Sequence, residues 1–261
     1  MPLIFLDDIR LNAVVDGPGN GPPLALIHAL GTDLSIWDGV VARLPRHRIL
    51  RLDLRGHGQS DCPPPPYPMG ALIRDVERVM AHVGMTEAVV AGVSLGGLVV
   101  QGLAVKRLDL VRGMVLSNTA ARIGGEAMWK ARIAQVQEAG LAAYAPGAME
   151  RIFGRNWQQA PEMPRIRTLL EGTRPEGWIG CAEAIAGTDF YTTTATLTLP
   201  TLVIAGANDG TTPPDLVRET AELILGHRWA LMRGAGHLPM VERPDDYAAL
   251  LDEFLASIGH G

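Results

Sequence analysis

Over its first 118 residues the chain alternates short apolar runs with longer segments of helical period. Residues 3–15 read as two short strands, with alternation from Leu11 to Val15, and they end at the Gly- and Pro-rich turn Asp16 to Pro23. Leu24 to His28 and Ile49 to Asp53 are mainly apolar, as buried strands are, and helical patterns follow them through Trp37 to Leu44 and over Ala71 to Val83. Ala88 to Ala91 is a further apolar run. Leu98, Val99 and Leu103 after it suit a buried helix face, and Val111 to Ser117 adds another strand. This alternation predicts an α/β fold with a mostly parallel central sheet and helices on both faces.

The rhythm breaks between residues 119 and 195, where Glu126 to Glu138 and Ala142 to Ile152 have helical character and no convincing strand is found. It resumes with a strand at Thr201 to Ala205, a helix over Pro214 to Leu225, a strand at Arg228 to Met232 and a closing helix over Asp245 to Ile258. The expected organisation is a sheet-forming core made of residues 1–118 and 196–261, with 119–195 inserted as a helical cap. The cap is electrically neutral, so the net charge of −5 sits in the core. Its arginines are either free for an anionic ligand or part of a solvated surface.

Composition narrows the function classes. A chain of 261 residues is long enough for one large core, and its acidic balance offers no basic footprint for nucleic acid. Cys62 and Cys181 are too few for a disulfide framework and read as reduced thiols of a cytoplasmic protein. The N-terminus lacks the basic and apolar pattern of a signal peptide, and the apolar stretch from Ala88 to Val105 is interrupted by Ser94, Gln101 and four glycines, so no membrane span is expected.

That same stretch carries the chemistry. Gly92-Val93-Ser94-Leu95-Gly96 has the G-x-S-x-G spacing of a nucleophile elbow, between a predicted strand and a predicted helix. At a strand turning sharply into a helix, a Cβ two residues before or after the serine would collide with its neighbours. The alternative is a Gly-rich turn whose serine caps the helix. A serine hydroxyl is a weak nucleophile, so it needs a base, and the base needs a group that fixes its tautomer. In the order serine, acid, histidine, Asp209 follows the Thr201 to Gly206 segment and His237 follows the last strand in Gly234-Ala235-Gly236-His237. Asp215 is read as a first-turn helix residue, His57 as structural, and His47, His82, His227 and His260 as surface or loop residues. Oxyanion donors are expected from the backbone N–H groups of Leu95 and of Leu30, in the loop after the Leu24 to His28 strand. Dinucleotide and P-loop signatures are absent, as are ligand-spaced His or Cys clusters. No cofactor and no metal are expected.

In these motifs and their order the chain resembles the α/β-hydrolase superfamily over nearly its full length. It is more closely similar to the 3-oxoadipate enol-lactonases in Ala29 to Trp37, Ser117 to Gly124, Met128-Trp129 and Pro175 to Trp178. His28-Ala29 departs from the His-Gly or Asn-Ser found in many relatives. The resemblance implies hydrolysis of a small carboxylate-bearing lactone through an acyl-enzyme. By location and charge, Arg122, Arg132 or the indole N–H of Trp129 in the cap are candidates to meet that carboxylate, against the alternative of surface arginines and a core tryptophan. A broader carboxylesterase, a cofactor-free perhydrolase and a non-catalytic ligand-binding module remain as alternatives on the same scaffold.

Overall fold

The computed structural model describes residues 3–261, and for 155–157 the backbone course alone. Eight strands form one sheet: β1 (Leu3–Leu6), β2 (Ile9–Asp16), β3 (Pro23–Ile27), β4 (Arg48–Leu52), β5 (Ala88–Val93), β6 (Val111–Ser117), β7 (Thr201–Gly206) and β8 (Arg228–Met232). Their order is β1-β2-β4-β3-β5-β6-β7-β8. The β1/β2 and β2/β4 pairings are antiparallel and the remaining five are parallel. Every residue of β5 and β7 is buried, as strands covered on both faces require, whereas edge strand β8 is largely part-exposed.

Strand order decides where ligands can bind. From β3 the chain moves one way to β4, then crosses back over β3 to β5 and continues the other way to β6. Right-handed crossovers that reverse direction lie on opposite faces, leaving a crevice between β3 and β5 at the strands' carboxyl ends. Helix Met69–His82 buries Leu72, Ile73, Val76, Val79 and Met80, a stripe at helical spacing, and packs beside helix Leu95–Lys106. Helix Pro244–Ser257 packs against helix Asp38–Val41, and the rings of Tyr247 and Trp37 lie 5.8 Å apart.

Residues between β6 and β7 form helices Glu126–Phe153, Met163–Gly172, Pro175–Ala186 and Tyr191–Thr194, with a 3-10 turn and no strand. The first is two helical pieces joined at Gly140, whose φ of 76° and ψ of 172° interrupt the ladder, in agreement with the two segments the sequence suggests. The insertion sits tightly on the core: a Cβ on Gly56 would stand 2.4 Å from Gly177 Cα.

Two expectations need correction. The helix through Trp37 to Leu44 is a 3-10 turn, Leu34–Trp37, followed by a single helical turn, Asp38–Val41, because Gly39 and β-branched Val40 and Val41 give it little propensity of its own. His47 and His260 are buried rather than on the surface: His47 Nε2 lies 3.2 Å from the His260 carbonyl, and His260 Nε2 donates to Pro23 at 2.8 Å. This closes the C-terminus onto the start of β3.

A buried bidentate pair fastens the loop after β4 to helix Met69–His82, with Arg55 Nε 2.6 Å from Asp75 Oδ2 and Nη2 2.8 Å from Oδ1. Asp75→Ala leaves the guanidinium buried and unpaired. It should lower unfolding free energy by about 3–5 kcal/mol, measured by urea denaturation.

Candidate active site

The residues predicted to carry chemistry emerge at the carboxyl ends of neighbouring parallel strands. Ser94 follows β5 directly and is held at φ 55° and ψ −116°, a conformation that costs about 1–3 kcal/mol for a residue with a Cβ. Its backbone is fully engaged: the N–H donates to Ser117 O, and the carbonyl accepts from Gly97 N, Leu98 N and Thr119 Oγ1. The hydroxyl makes no cap bond to the helix, which removes the reading of Ser94 as a capping residue. A Cβ on Gly92 would lie 2.3 Å from Gly96 C, and one on Gly96 would lie 2.3 Å from Ile27 O, so both glycines are sterically required.

Asp209 follows β7 and is nearly enclosed. Its Oδ1 accepts from the backbone N–H groups of Thr211 and Thr212, and its Oδ2 from Asn118 Nδ2 and Thr212 Oγ1, both at 2.7 Å, and from His237 Nδ1 at 2.8 Å. Burial opposes its charge, but the facing imidazole and the donors from Asn118 and Thr212 prevail and hold the carboxyl below its ordinary range. An ionised Asp209 obliges His237 to carry its proton on Nδ1, leaving Nε2 as the acceptor. Asp215 lies in the first turn of helix Pro214–Glu222, away from this arrangement.

His237 follows β8 in a loop pinned from two sides. Its N–H donates to Ile152 O at 2.7 Å, and Asn118 Nδ2 also donates to Gly236 O at 3.1 Å. Asn118 therefore bridges the acid loop and the histidine loop. Its own φ is 44°, in the left-handed region.

The loop after β3 is set by two neutral histidines. His28 accepts Leu54 N–H at Nε2 and donates from Nδ1 to Ala29 O, while His57 accepts Gly31 N–H at Nε2 (2.9 Å) with Nδ1 facing Arg55 O. Burial, then the charge His28 would carry, push the His57 imidazole down to about 3. Gly31 N–H is thus occupied, whereas Leu30 N–H has no protein acceptor among the described residues. Leu95 N–H, first in its helix, has no intrahelical acceptor either.

Ser94, His237 and Leu30 line one pocket, walled on the insertion side by Trp129, Tyr144 and Trp178. Of the three residues expected to meet a carboxylate, only Arg132 faces it with a free charge. The Trp129 indole N–H donates to Ile123 O at 2.6 Å, so its ring, not its N–H, faces the pocket. Arg122 is half-exposed beside Asp189 and does not line the pocket. Arg132 stacks 5.0 Å above the Trp129 ring; burial lowers its proton affinity, Tyr144 opposes that, and the charge of Arg151 adds to it. Arg151 lines the same pocket and donates to Tyr144 Oη at 2.9 Å. Neither guanidinium has a carboxylate partner among the described residues.

Three of these residues, Asn118, Thr212 and Arg151, escape sequence reasoning. Asn118 follows a predicted strand within the Ser117 to Gly124 segment, and nothing there marks its side chain as a bridge between distant loops. The direction of Arg151 depends on how the inserted helix is rotated on the core.

The "Alpha/beta hydrolase family" profile matches residues 24–250, and the chain belongs to that family. The chain is 33% identical to 3-oxoadipate enol-lactonase 2 of Acinetobacter baylyi, over 92% of its own length and 91% of the relative's. Among solved structures, the enol-lactonase from Burkholderia xenovorans LB400 superposes with a TM-score of 0.94 at 34% identity, covering 98% of this chain and all of that one. A malate-bound thermophilic esterase from Thermogutta terrifontis gives 0.89 at 28% identity, over 96% and 94% of the two chains. The chain is a carboxylic ester hydrolase.

The buried neutral histidines give stability a pH dependence of known sign. Because the unfolded chain takes up a proton near 6.5 and folded His57 only near 3, the contribution of His57 to stability is full above pH 6.5 and is lost as pH drops toward 3. Urea midpoints across that interval should decline for the native sequence and decline less steeply for His57→Gln.

Proposed function

We propose that the enzyme hydrolyses a small enol-lactone bearing a carboxylate, of the 3-oxoadipate enol-lactone type, and works in the cytoplasm in the breakdown of aromatic compounds. His237 takes the proton of Ser94, whose Oγ attacks the ring carbonyl, while Leu30 and Leu95 N–H groups receive the oxyanion. Asp209 holds the imidazole tautomer and stabilises its protonated form. Collapse of the tetrahedral intermediate breaks the ring C–O bond and expels an enolate, a better leaving group than an alkoxide. The enolate takes the proton held by His237 and becomes the ketone. The neutral imidazole then takes a proton from water, whose oxygen attacks the acyl carbonyl, and returns that proton to Ser94 Oγ as the ester bond breaks. Residues 119–195 act as a cap that supplies the far wall of the pocket and, through Arg132, a partner for the substrate carboxylate.

The observation that carries this reading is the pairing, in one pocket, of a strained serine with a histidine bonded to a buried aspartate, beside an arginine with no acidic partner among the described residues. The likeness to the Thermogutta terrifontis esterase supports a second reading, a carboxylesterase of wider range that uses the same Ser94, Asp209 and His237 without selecting for a carboxylate. The two diverge at Arg132.

Ser94→Ala should reduce turnover of every ester and lactone by at least about 1,000-fold and abolish labelling by a phosphonate probe. Retained turnover would overturn the acyl-enzyme. In Arg132→Ala, KM for 3-oxoadipate enol-lactone should rise about 10- to 100-fold with neutral lactones and simple esters unchanged. Equal effects on both substrate classes would favour the wider esterase.

A further inference from the structure

Glu242 has no part in the mechanism above, yet its carboxylate sits against the loop that carries His237. The residue ends the short helix Pro239–Glu242 and folds back over its own turn. Its Oε1 accepts the N–H of Gly236 at 2.9 Å and that of Leu238 at 3.3 Å, and its Oε2 also accepts from Gly236 at 2.9 Å. These are the two backbone donors immediately before and after the histidine. The N–H between them, that of His237 itself, goes to Ile152 O. All three consecutive amides of the loop are therefore taken, two of them by one side chain.

We propose that Glu242 is a positioning residue for His237: its carboxylate gathers the flanking amides and fixes the backbone from which the imidazole reaches Asp209 and faces the pocket shared with Ser94. The inference rests on His237 being the base of the proposed mechanism. A neutral side chain would hold the fold of this turn adequately, and the ionised one adds rigidity to the loop through charge-assisted hydrogen bonds.

The surroundings make that charge expensive to keep. Burial pushes the Glu242 carboxyl up to about 7, against the pull of the Gly236 and Leu238 amides and of His237, and Glu162 on the facing wall of the adjoining crevice pushes the same way. The neighbouring Arg243 is committed to Asp246 at 2.9 Å. Since the folded state raises this carboxyl from 4.5, folding favours its protonated form, and stability from this group falls as pH rises from 4.5 to 7. An ionised Glu242 above pH 7 thus lowers stability while tightening the catalytic loop. Protonation leaves one oxygen a donor among backbone donors, and the loop loosens.

Glu242→Gln, an isostere of the protonated form, separates positioning from simple structural support. At pH 8 with the lactone substrate, kcat should fall about 5- to 20-fold with KM within about twofold, the scale expected from a misplaced base. Its Tm at pH 8 should equal or exceed that of the native sequence, an outcome that a structural role would reverse. As pH falls from 8 to 6 and Glu242 takes up its proton, the native kcat should approach that of the variant, so that their ratio falls toward one. A variant with native kcat at pH 8, a kcat ratio that stays constant with pH, or activity that falls in step with Tm, overturns the proposal. Should the variant fail to fold, Glu242→Asp, which keeps the charge on a shorter stem, takes its place: a kcat at pH 8 at least about 5-fold below native with KM within about twofold supports the proposal, and a native kcat overturns it. Phosphonate labelling of Ser94 in the native enzyme keeps the two readings apart: its absence defeats the acyl-enzyme, whereas labelling with an indifferent Glu242→Gln defeats only the role of Glu242.

Discussion

Strand β5 can turn into the helix behind it within a single residue only because no Cβ stands at Gly92 or Gly96. Any side chain there would enter the Gly96 backbone or the carbonyl of Ile27 on β3. That close approach sets the left-handed conformation of Ser94 and exposes Leu95 N–H at the start of a helix. It also brings the elbow beside the loop after β3, where Leu30 lies. The crevice created by the change of crossover direction thus receives the Ser94 side chain and the backbone N–H groups of Leu30 and Leu95 from the ends of adjacent strands. Strain at Ser94 is sustained by four backbone and side-chain hydrogen bonds around it, which leave the hydroxyl as its uncommitted group.

The inserted helices do more than cover this crevice. Helix Glu126–Phe153 ends at Gly154, and its last turn leaves carbonyls without intrahelical donors. Arg151 O accepts Gly210 N–H beside Asp209, and Ile152 O accepts His237 N–H. One helix end therefore braces both the acid loop and the base loop, while the Arg151 side chain from the same turn reaches the pocket. Position of the insertion and placement of Asp209 and His237 are parts of one hydrogen-bonded unit. Asn118 adds a second bridge between the same two loops from β6.

Charge in this centre is distributed by burial and by donor count rather than by residue type. Asp209 collects five donors and stays ionised, whereas His57, with a backbone donor at Nε2 and a carbonyl at Nδ1, is held neutral. Glu242 stands between them, with three amide contacts set against burial and a facing glutamate. Neutral His57 in turn occupies Gly31 N–H, so the neighbouring Leu30 N–H is the one left for a ligand.

The order of Ser94, Asp209 and His237, the mostly parallel sheet and the helical insertion were legible in the chain, because strand patterning, glycine spacing and loop position are local properties. The two pieces of helix Glu126–Phe153 were legible for the same reason, since Gly140 breaks the pattern where it breaks the ladder. What each pocket-facing side chain does was not. Trp129 spends its N–H on Ile123, Arg122 turns to Asp189, and Arg151 enters a pocket for which nothing in its segment marks it. His47 and His260 lie far apart in the chain and are buried by meeting each other. Sequence determined which groups are available at the strand ends, since those follow from period and turn chemistry. Tertiary structure alone decided which donors are already satisfied and which remain free, because hydrogen-bond partners come from distant segments whose relative rotation no local pattern records.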